Sequence, residues 1–488
     1  MSRDGWEAVI GLEIHVQLQT RTKMFCRCAN RYGDPPNTNV CQVCLAHPGV
    51  LPVPNRAAVH QAIRVGMALG CTIPSWSQFH RKNYFYPDNP KAYQISQYDS
   101  PLCGEGVFHV PAPGGAFEVR LERAHIEEDA AKMIHAGGAG GRLTGSASSV
   151  VDFNRAGTPL LEIVTRPDLH SGEDARRFLN LLRATIVAIG ASDADMEKGS
   201  LRCDANVSVR RVGDTALGTK TELKNMNSFR YLERGINAEI ERQIGVLEAG
   251  DRVRQATMHY DVATGTVHVL RSKEEANDYR YFPEPDLVPL EPDAALLDEL
   301  RAALAELPAA RIERFVGQYG LPEPIAEALG TGSELARWFE ELARLVGDGR
   351  LAANWTLGDF SAHLNAAGVV PAESPVTPAR MAGLVRLVES GAVGTAAAKQ
   401  VFAGLVDDPD ASAEAIVEAR GLGQIGDEAA LAAVVDEVVA GNPAQVAQFR
   451  AGKVQLLGFF TGQVMRQTGG RAEPKTVQRL LRERLDGS

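Results

Sequence analysis

The sequence has no run of about 20 apolar residues, the length a helix needs to cross a bilayer. The opening stretch MSRDGWEAVIGLEIH lacks the apolar segment and small-residue cleavage site of a secretory signal. Both absences point to a cytoplasmic protein with no membrane partner. Glycine and proline, 47 and 26 of 488 residues, are too few for a low-complexity or fibrous chain. There is no excess of positive charge: 51 Lys and Arg stand against 61 Asp and Glu, a net charge of −10. That excludes a uniformly basic nucleic-acid coat but leaves room for a local basic patch.

Several standard motifs are missing as well. The segment GDTALGTKT (213–221) resembles a phosphate loop, but Thr219 separates Gly218 from Lys220, and Asp214 would repel an anion. No G-x-G-x-x-G follows a strand-like run, and there is no G-x-S-x-G elbow. A Gly/Ser-rich amidase signature is also lacking. Any nucleotide site must therefore be non-standard, and any ammonia used must come from elsewhere.

What is present is ordinary for a soluble globular chain: 44% apolar and 23% charged residues, enough for two to four domains. Through residue 290 the texture is Gly, Pro, Asn and Tyr with short alternating segments. From Asp293 it becomes AALLDELRAALAEL, with apolar residues at helical spacing. The expected fold is α+β: a mostly antiparallel β domain with helices over 1–295, an all-α domain over 296–410 and a small helical tail over 411–488. In the tail, residues 405–440 carry nine acids and one base, whereas 450–488 carry eight bases and three acids. The glycine-rich stretch 137–149 reads as a loop.

Alternation in the first domain predicts strands with one polar face. In VIGLEIHVQL, Ile10, Leu12, Ile14, Val16 and Leu18 share one face, and Glu13, His15 and Gln17 the other. In LRCDANVSVR, Arg202, Asp204, Asn206 and Ser208 form the polar face; in TKTELKN, Lys220, Glu222 and Lys224 do. Glu162 interrupts the apolar run LLEIV. Such faces are commonly just wet. Here, however, they carry Asn, Asp, His and Arg beside Gly- and Pro-rich loops. If they converge, Glu13, His15, Glu127, Glu128, Glu162, Asp204 and Glu222 form a carboxylate-rich cluster suited to Mg²⁺. Arg155, Lys198, Arg202, Lys220, Lys224 and Arg280 could hold phosphate beside it. Carboxylates with Mg²⁺ and cations with phosphate are the parts of phosphoryl transfer.

Cys26-x-Cys28 is followed by Cys41-x-x-Cys44, two close pairs that match a structural tetrahedral Zn²⁺ site. The other three cysteines, Cys71, Cys103 and Cys203, read as small core residues. Residues 76–98 hold seven aromatics of 23, against 6% for the chain, interleaved with His80, Arg81, Lys82 and Lys91. Aromatics with cations can stack the unpaired end of a nucleic acid, and a tyrosine-rich core corner is the plainer alternative.

Seven long segments together carry a resemblance: GLEIHVQL, RKNYFYPDNPKAYQISQYD, HIEEDAAK, NRAGTPLLEIVTRPD, MEKGSLRCDANVS, TELKNMNSF and DYRYFPEPDLVP. The chain resembles the B subunits of bacterial glutamyl/aspartyl-tRNA amidotransferases, densely over 7–290 and more loosely to GFFTGQVMRQTGGRAEP. The resemblance implies a cradle domain, a helical domain and a tRNA-touching tail. It implies a heterotrimer with a glutaminase subunit (A) and a small subunit (C), acting on tRNA misacylated with Glu or Asp. ATP and Mg²⁺ phosphorylate the side-chain carboxylate, and ammonia from the glutaminase displaces the phosphate.

Residue by residue, the resemblance assigns Mg²⁺ to Glu13, His15, Glu128, Glu162 and Glu222. Lys82, Lys91 and Glu128 fall where ammonia reaches the reaction. With Arg155, Arg202 and Asp204 they form the expected catalytic set, and Lys198, Lys220, Lys224, Asn206 and Arg280 the ATP-binding set. Tyr84 and Tyr86, with Lys453, Arg466, Arg471, Lys475 and Arg479 of the tail, are expected to meet tRNA. The rival reading is a non-catalytic RNA-binding scaffold with a zinc knuckle, for which the carboxylates would be only a solvated face.

Overall fold

The computed structural model describes residues 5–136, 146–224, 226–272, 278–425 and 428–486. Residues 137–145 of the predicted glycine-rich loop lie outside them. The chain divides into two compact units, through Glu313 and from Arg314.

The elements of the first unit are, in chain order, β1 (Trp6–Gln17), α1 (Arg56–Ala68), β2 (His80–Asn83), β3 (Tyr93–Ser96), β4 (Gly106–Val110), β5 (Phe117–Glu128), β6 (Lys132–Ala136), β7 (Ser148–Asp152), β8 (Pro159–Thr165), α2 (Gly172–Ala188), β9 (Leu201–Arg211), β10 (Thr221–Leu223), α3 (Phe229–Glu248), β11 (Ala256–Asp261), β12 (Thr266–Ser272), β13 (Phe282–Pro283) and α4 (Ala294–Ala302). β7 begins at Ser148, so the last two residues of the stretch read as a loop are strand, paired with β6 across Ala136–Ser148 and His135–Ser149. β-branched Val150 and Val151 follow directly and favour extension.

Eight strands form one sheet in the order β12-β11-β10-β9-β1-β8-β5-β4. All neighbours are antiparallel except β10 and β11. A smaller sheet, β13-β2-β3, carries the aromatic segment. The predicted alternation holds. Ile10, Leu12, Ile14 and Val16 of β1 are buried, as are Leu201, Cys203, Ala205 and Val207 of β9, while Glu13, His15, Arg202, Asp204 and Asn206 keep partial access to solvent. α3 packs on β9 and against α2. Leu232, Ile236 and Ile244 of α3 and Phe178, Leu179, Leu182 and Ile186 of α2 are buried. Each such side chain contributes roughly 1.5–3 kcal/mol relative to exposure.

Ser171 and Ser228 cap these two helices, accepting from the amides of Asp174 and Tyr231. The helices approach closely at Gly172, where a Cβ would stand 2.5 Å from the Glu233 carbonyl oxygen. The helices thus occupy the apolar face of the sheet and leave the polar face for chemistry.

The texture change at Asp293 is a helix start: its carboxylate caps α4 by accepting from the Leu296 amide at 2.8 Å. Beyond it the described residues are helical: α5 (Pro308–Tyr319), α6 (Glu323–Gly330), α7 (Ser333–Val346), α8 (Gly349–Trp355), α9 (Ser361–Ala367), α10 (Pro378–Glu389), α11 (Thr395–Asp407), α12 (Ala413–Arg420), α13 (Glu428–Ala440), α14 (Pro443–Arg450), α15 (Leu456–Gln467) and α16 (Pro474–Leu485). Arg380 gathers the α11–α12 turn by donating to the carbonyls of Leu405, Asp408 and Ala411. The last four helices bury a cluster of their own, including Val435, Phe460, Val464, Val477 and Leu481. A sheet-rich first unit followed by an all-helical second agrees with the α+β expectation.

Candidate active site

The polar face is assembled by register. β1 lies between β9 and β8, which sets His15 opposite Arg202 on one side and Glu162 on the other. β5 adds His125 opposite Glu162. A row Arg202–His15–Glu162–His125 therefore crosses four strands. His15 Nε2 lies 3.3 Å from Glu162 Oε2 and 3.7 Å from Glu13 Oε1; His125 Nε2 lies 3.5 Å from the same Glu162 oxygen. Glu13, His15 and Glu162 offer ligand atoms within 4.8 Å of one another, and so do His125, Glu127 and Glu162. Burial works against the charge of Glu162, but His125 and His15 outweigh it and hold the carboxyl well below the usual range. Glu13 behaves oppositely: burial and then the Glu162 charge push its carboxyl up. One ionised carboxylate shared by two imidazoles, with a second beside it, is a donor set that fits a hard divalent cation such as Mg²⁺.

Cations ring this row. Lys82 of β2 reaches to 3.8 Å from Glu127, which also accepts from the Ser96 hydroxyl at 3.1 Å. Burial opposes the Lys82 charge, and Glu127 outweighs it, raising its pKa above the ordinary lysine value. Arg202 donates to buried Asp129 at 2.9 Å, as does Gln17 at 2.8 Å, with Arg155 3.7 Å away. Lys224 bridges Asp204 at 2.7 Å and Glu222 at 3.1 Å. Asn206 sits in register with Glu222.

Glu128 points elsewhere. It binds Lys91 at 2.6 Å and accepts from the Ile95 amide at 2.9 Å, and it belongs to neither His/Glu group. The reason is the period of the strand. In HIEED, His125 and Glu127 share one face and Glu128 takes the other. His125 stands outside the set expected at the metal, and Asp129, though within HIEEDAAK, stands outside every expected site set. The same alternation is the signal available for His125. Lys91 and Glu128 line a small cavity of about 30 Å³ with Phe25, Cys44, Tyr93 and Gly157.

Outside the row, Lys198 pairs with Asp193 and Asp195 in an exposed turn, and Lys220 is exposed just before β10. Arg280 is exposed, with a left-handed backbone (φ 47°). Tyr84, Phe85, Tyr86 and Tyr279 line an open cleft of about 480 Å³ with Lys82 on its wall. Tyr98 stacks on Tyr281 at 4.5 Å between ring centres. In the tail, Lys475 and Arg479 share a cleft with Arg482, and Arg479 pairs with Glu428 and Glu483. Lys453 contacts Gln448, Arg471 donates to the Thr468 carbonyl, and Arg466 lies in the last turn of α15. A larger cleft of about 840 Å³ in the second unit, lined by Arg337, Arg344 and Arg350, holds none of the row.

The four sulfurs of Cys26, Cys28, Cys41 and Cys44 lie within 4.8 Å of one another. Zinc bonds of about 2.3 Å require sulfurs about 3.8 Å apart in a tetrahedron, so the donor set fits zinc. The Cys44 thiol is pulled down to about 4, first by its hydrogen bond from Cys26, while burial pushes Cys28 up to about 11.

The GatB/GatE catalytic domain family matches residues 8–298, and the GatB domain family matches 337–485. The chain is 49% identical, over 98% of its length and all of the relative's, to the B subunit of the aspartyl/glutamyl-tRNA(Asn/Gln) amidotransferase of Moorella thermoacetica. It is 46% identical over 99% of both chains to the protein of the same name from Syntrophotalea carbinolica. It is 47% identical to that of Chlorobium luteolum, over 99% of this chain and all of the relative.

Proposed function

This chain belongs to the GatB/GatE family as a B subunit of the tRNA-dependent amidotransferases, and we propose that the polar row of its large sheet activates the misacylated carboxylate. The enzyme it forms part of converts Glu-tRNA(Gln) to Gln-tRNA(Gln), Asp-tRNA(Asn) to Asn-tRNA(Asn), or both. A carboxylate does not acylate ammonia directly, because its leaving group would be oxide. Transfer of the γ-phosphoryl group of ATP joins a carboxylate oxygen to phosphorus and breaks the bond to ADP. Ammonia then attacks the carbonyl carbon, phosphate departs with that oxygen, and the new amide loses a proton.

The shared Glu162 is the observation that supports this reading most. A solvated face gains nothing from burying one carboxylate between His15 and His125. Held by Glu13, His15 and Glu162, with Glu127 beside them, Mg²⁺ would neutralise phosphate charge. Lys82 beside the row and Arg202 at its end draw phosphoryl oxygens into line. Asp129 orients Arg202 and Arg155, and Asp204 with Glu222 orients Lys224. Lys91 and Glu128 face the small cavity, where ammonia from a glutaminase subunit would enter.

Lys198, Lys220, Asn206 and Arg280 are the outer contacts for ATP. Tyr84 and Tyr86 stack the acceptor end of the tRNA, and Lys453, Arg466, Arg471, Lys475 and Arg479 meet its backbone. Zinc holds the Cys26–Cys44 module, a glutaminase subunit and a small third subunit complete a heterotrimer, and the assembly works in the cytoplasm. No helix among the described residues is long and apolar enough to cross a membrane. The test is an assay with both partners, Glu-tRNA(Gln), glutamine and [γ-³²P]ATP, with and without Mg²⁺. Phosphate release that requires charged tRNA and Mg²⁺ supports the reading. tRNA binding with ATP untouched, for both Glu- and Asp-tRNA, sinks it in favour of a scaffold.

A further inference from the structure

Lys23 is one of the largest fully buried side chains in the protein, with 0% of its surface exposed. A buried ammonium is costly unless an anion meets it. Among the described residues no carboxylate pairs with it. Its Nζ donates to Cys44 Sγ at 3.6 Å and to the Phe153 carbonyl at 3.0 Å. The anion it meets is therefore sulfur, at the most buried of the four clustered cysteines.

We propose that Lys23 is a positioning residue of the zinc centre, compensating the charge of its thiolates and tying it to the turn that faces Glu128. Four thiolates and one Zn²⁺ carry two net negative charges, and one ammonium at hydrogen-bond distance halves that. The second contact runs to the turn containing Phe153 and Gly157. The Met24 amide donates to the Gly157 carbonyl at 2.7 Å, one residue beyond Lys23. Gly157 has a left-handed backbone (φ 84°). A Cβ there would lie 3.6 Å from Lys23 Cδ, 3.8 Å from Cys44 Cβ and 3.9 Å from a Glu128 carboxylate oxygen. Lysine, metal ligand and Glu128 thus meet around one glycine.

This inference rests on the zinc reading, and the experiment separates the two. Zinc content of the full wild-type chain is measured first, by elemental analysis. Zinc affinity of wild type, Lys23→Met and Lys23→Arg is then measured by chelator competition, with the cobalt–thiolate absorption band of the Co²⁺-substituted chains as a second readout. Lys23→Met should lose roughly 10–100-fold in zinc affinity, the range for residues that support metal ligands, and shift the cobalt band. Lys23→Arg, which keeps the charge, should retain most of both. Zinc in wild type with unchanged affinity in Lys23→Met overturns the role of Lys23 alone. No zinc in wild type overturns both readings. If Lys23→Met does not fold, amine acetylation of wild type read by mass spectrometry takes its place. Labelling of Lys23 should rise several-fold on zinc removal while exposed Lys132 stays constant; equal Lys23 labelling in the two states overturns the proposal.

Discussion

His15 and Glu162 face each other across the β1–β8 pairing, with Nε2 and Oε2 3.3 Å apart. Their residues are separated by nearly 150 positions in sequence, and the antiparallel register alone makes them neighbours. The pair is the centre of the acidic row, because His125 approaches the same carboxylate oxygen from the next strand.

Glu162→Gln keeps the shape of this centre and removes its charge. It is expected to lower tRNA-dependent phosphate release from ATP by roughly 10²–10³-fold, as for loss of one preorganised charge-stabilising group. tRNA affinity, measured by filter binding, should stay within about twofold. Full ATP turnover in this variant would remove the metal assignment.

Asp129 provides an acid-stability prediction. Burial opposes its charge, but Arg202, Arg155 and Gln17 outweigh it and hold its pKa below the usual aspartate value. A carboxylate depressed in the folded state contributes stability above its unfolded pKa of about 3.9, and that stability is lost as pH falls through the folded value. Asp129→Asn should therefore destabilise the chain at pH 7 by roughly 1.5–3 kcal/mol, through loss of the charge-assisted hydrogen bonds from Arg202 and Gln17. It should also flatten the fall in stability below about pH 4. Urea unfolding across pH 3–7 checks both; parallel profiles for variant and wild type would contradict it.

Cys41→Ser removes one of four clustered thiols. Its thermal midpoint should drop by roughly 5 °C or more, and a chelator should lower the wild type but leave the variant unmoved. Scanning calorimetry with and without chelator decides this, and equal midpoints for all four samples would argue for unligated thiols.

Gly172→Ala tests the close approach of α2 and α3. The added methyl would stand 2.5 Å from the Glu233 carbonyl and 2.7 Å from the Asn237 side-chain oxygen. Backbone must shift, so a loss of about 1–3 kcal/mol is expected by urea unfolding. A neutral substitution would show that the helices separate freely.

Much of this architecture is legible in the chain itself. Period-two alternation in VIGLEIHVQL and LRCDANVSVR assigns each residue to the apolar or the polar face, because a strand's side chains alternate whatever its neighbours are. The cysteine spacing marks the four-sulfur cluster, and the texture change at Asp293 marks the start of a helix, since both signals are local. The helical texture beyond Asp293 is equally plain.

What lies across the chain is not. Alternation says that His15 and Glu162 are each on a polar face, but only sheet order and register make them touch. Glu127 and Glu128 are adjacent and chemically identical, and the strand sends one to the His/Glu row and the other to Lys91. Nothing in TRTKMF singles out Lys23, yet packing buries it on Cys44. Lys198 and Lys220 are expected with Arg202 and Lys224, and tertiary structure leaves them exposed beside the sheet rather than in the row. Strand faces and cysteine spacing follow from a few neighbouring residues and can be read along the chain. Which faces meet cannot, because strand order and side-chain burial depend on contacts more than a hundred residues apart.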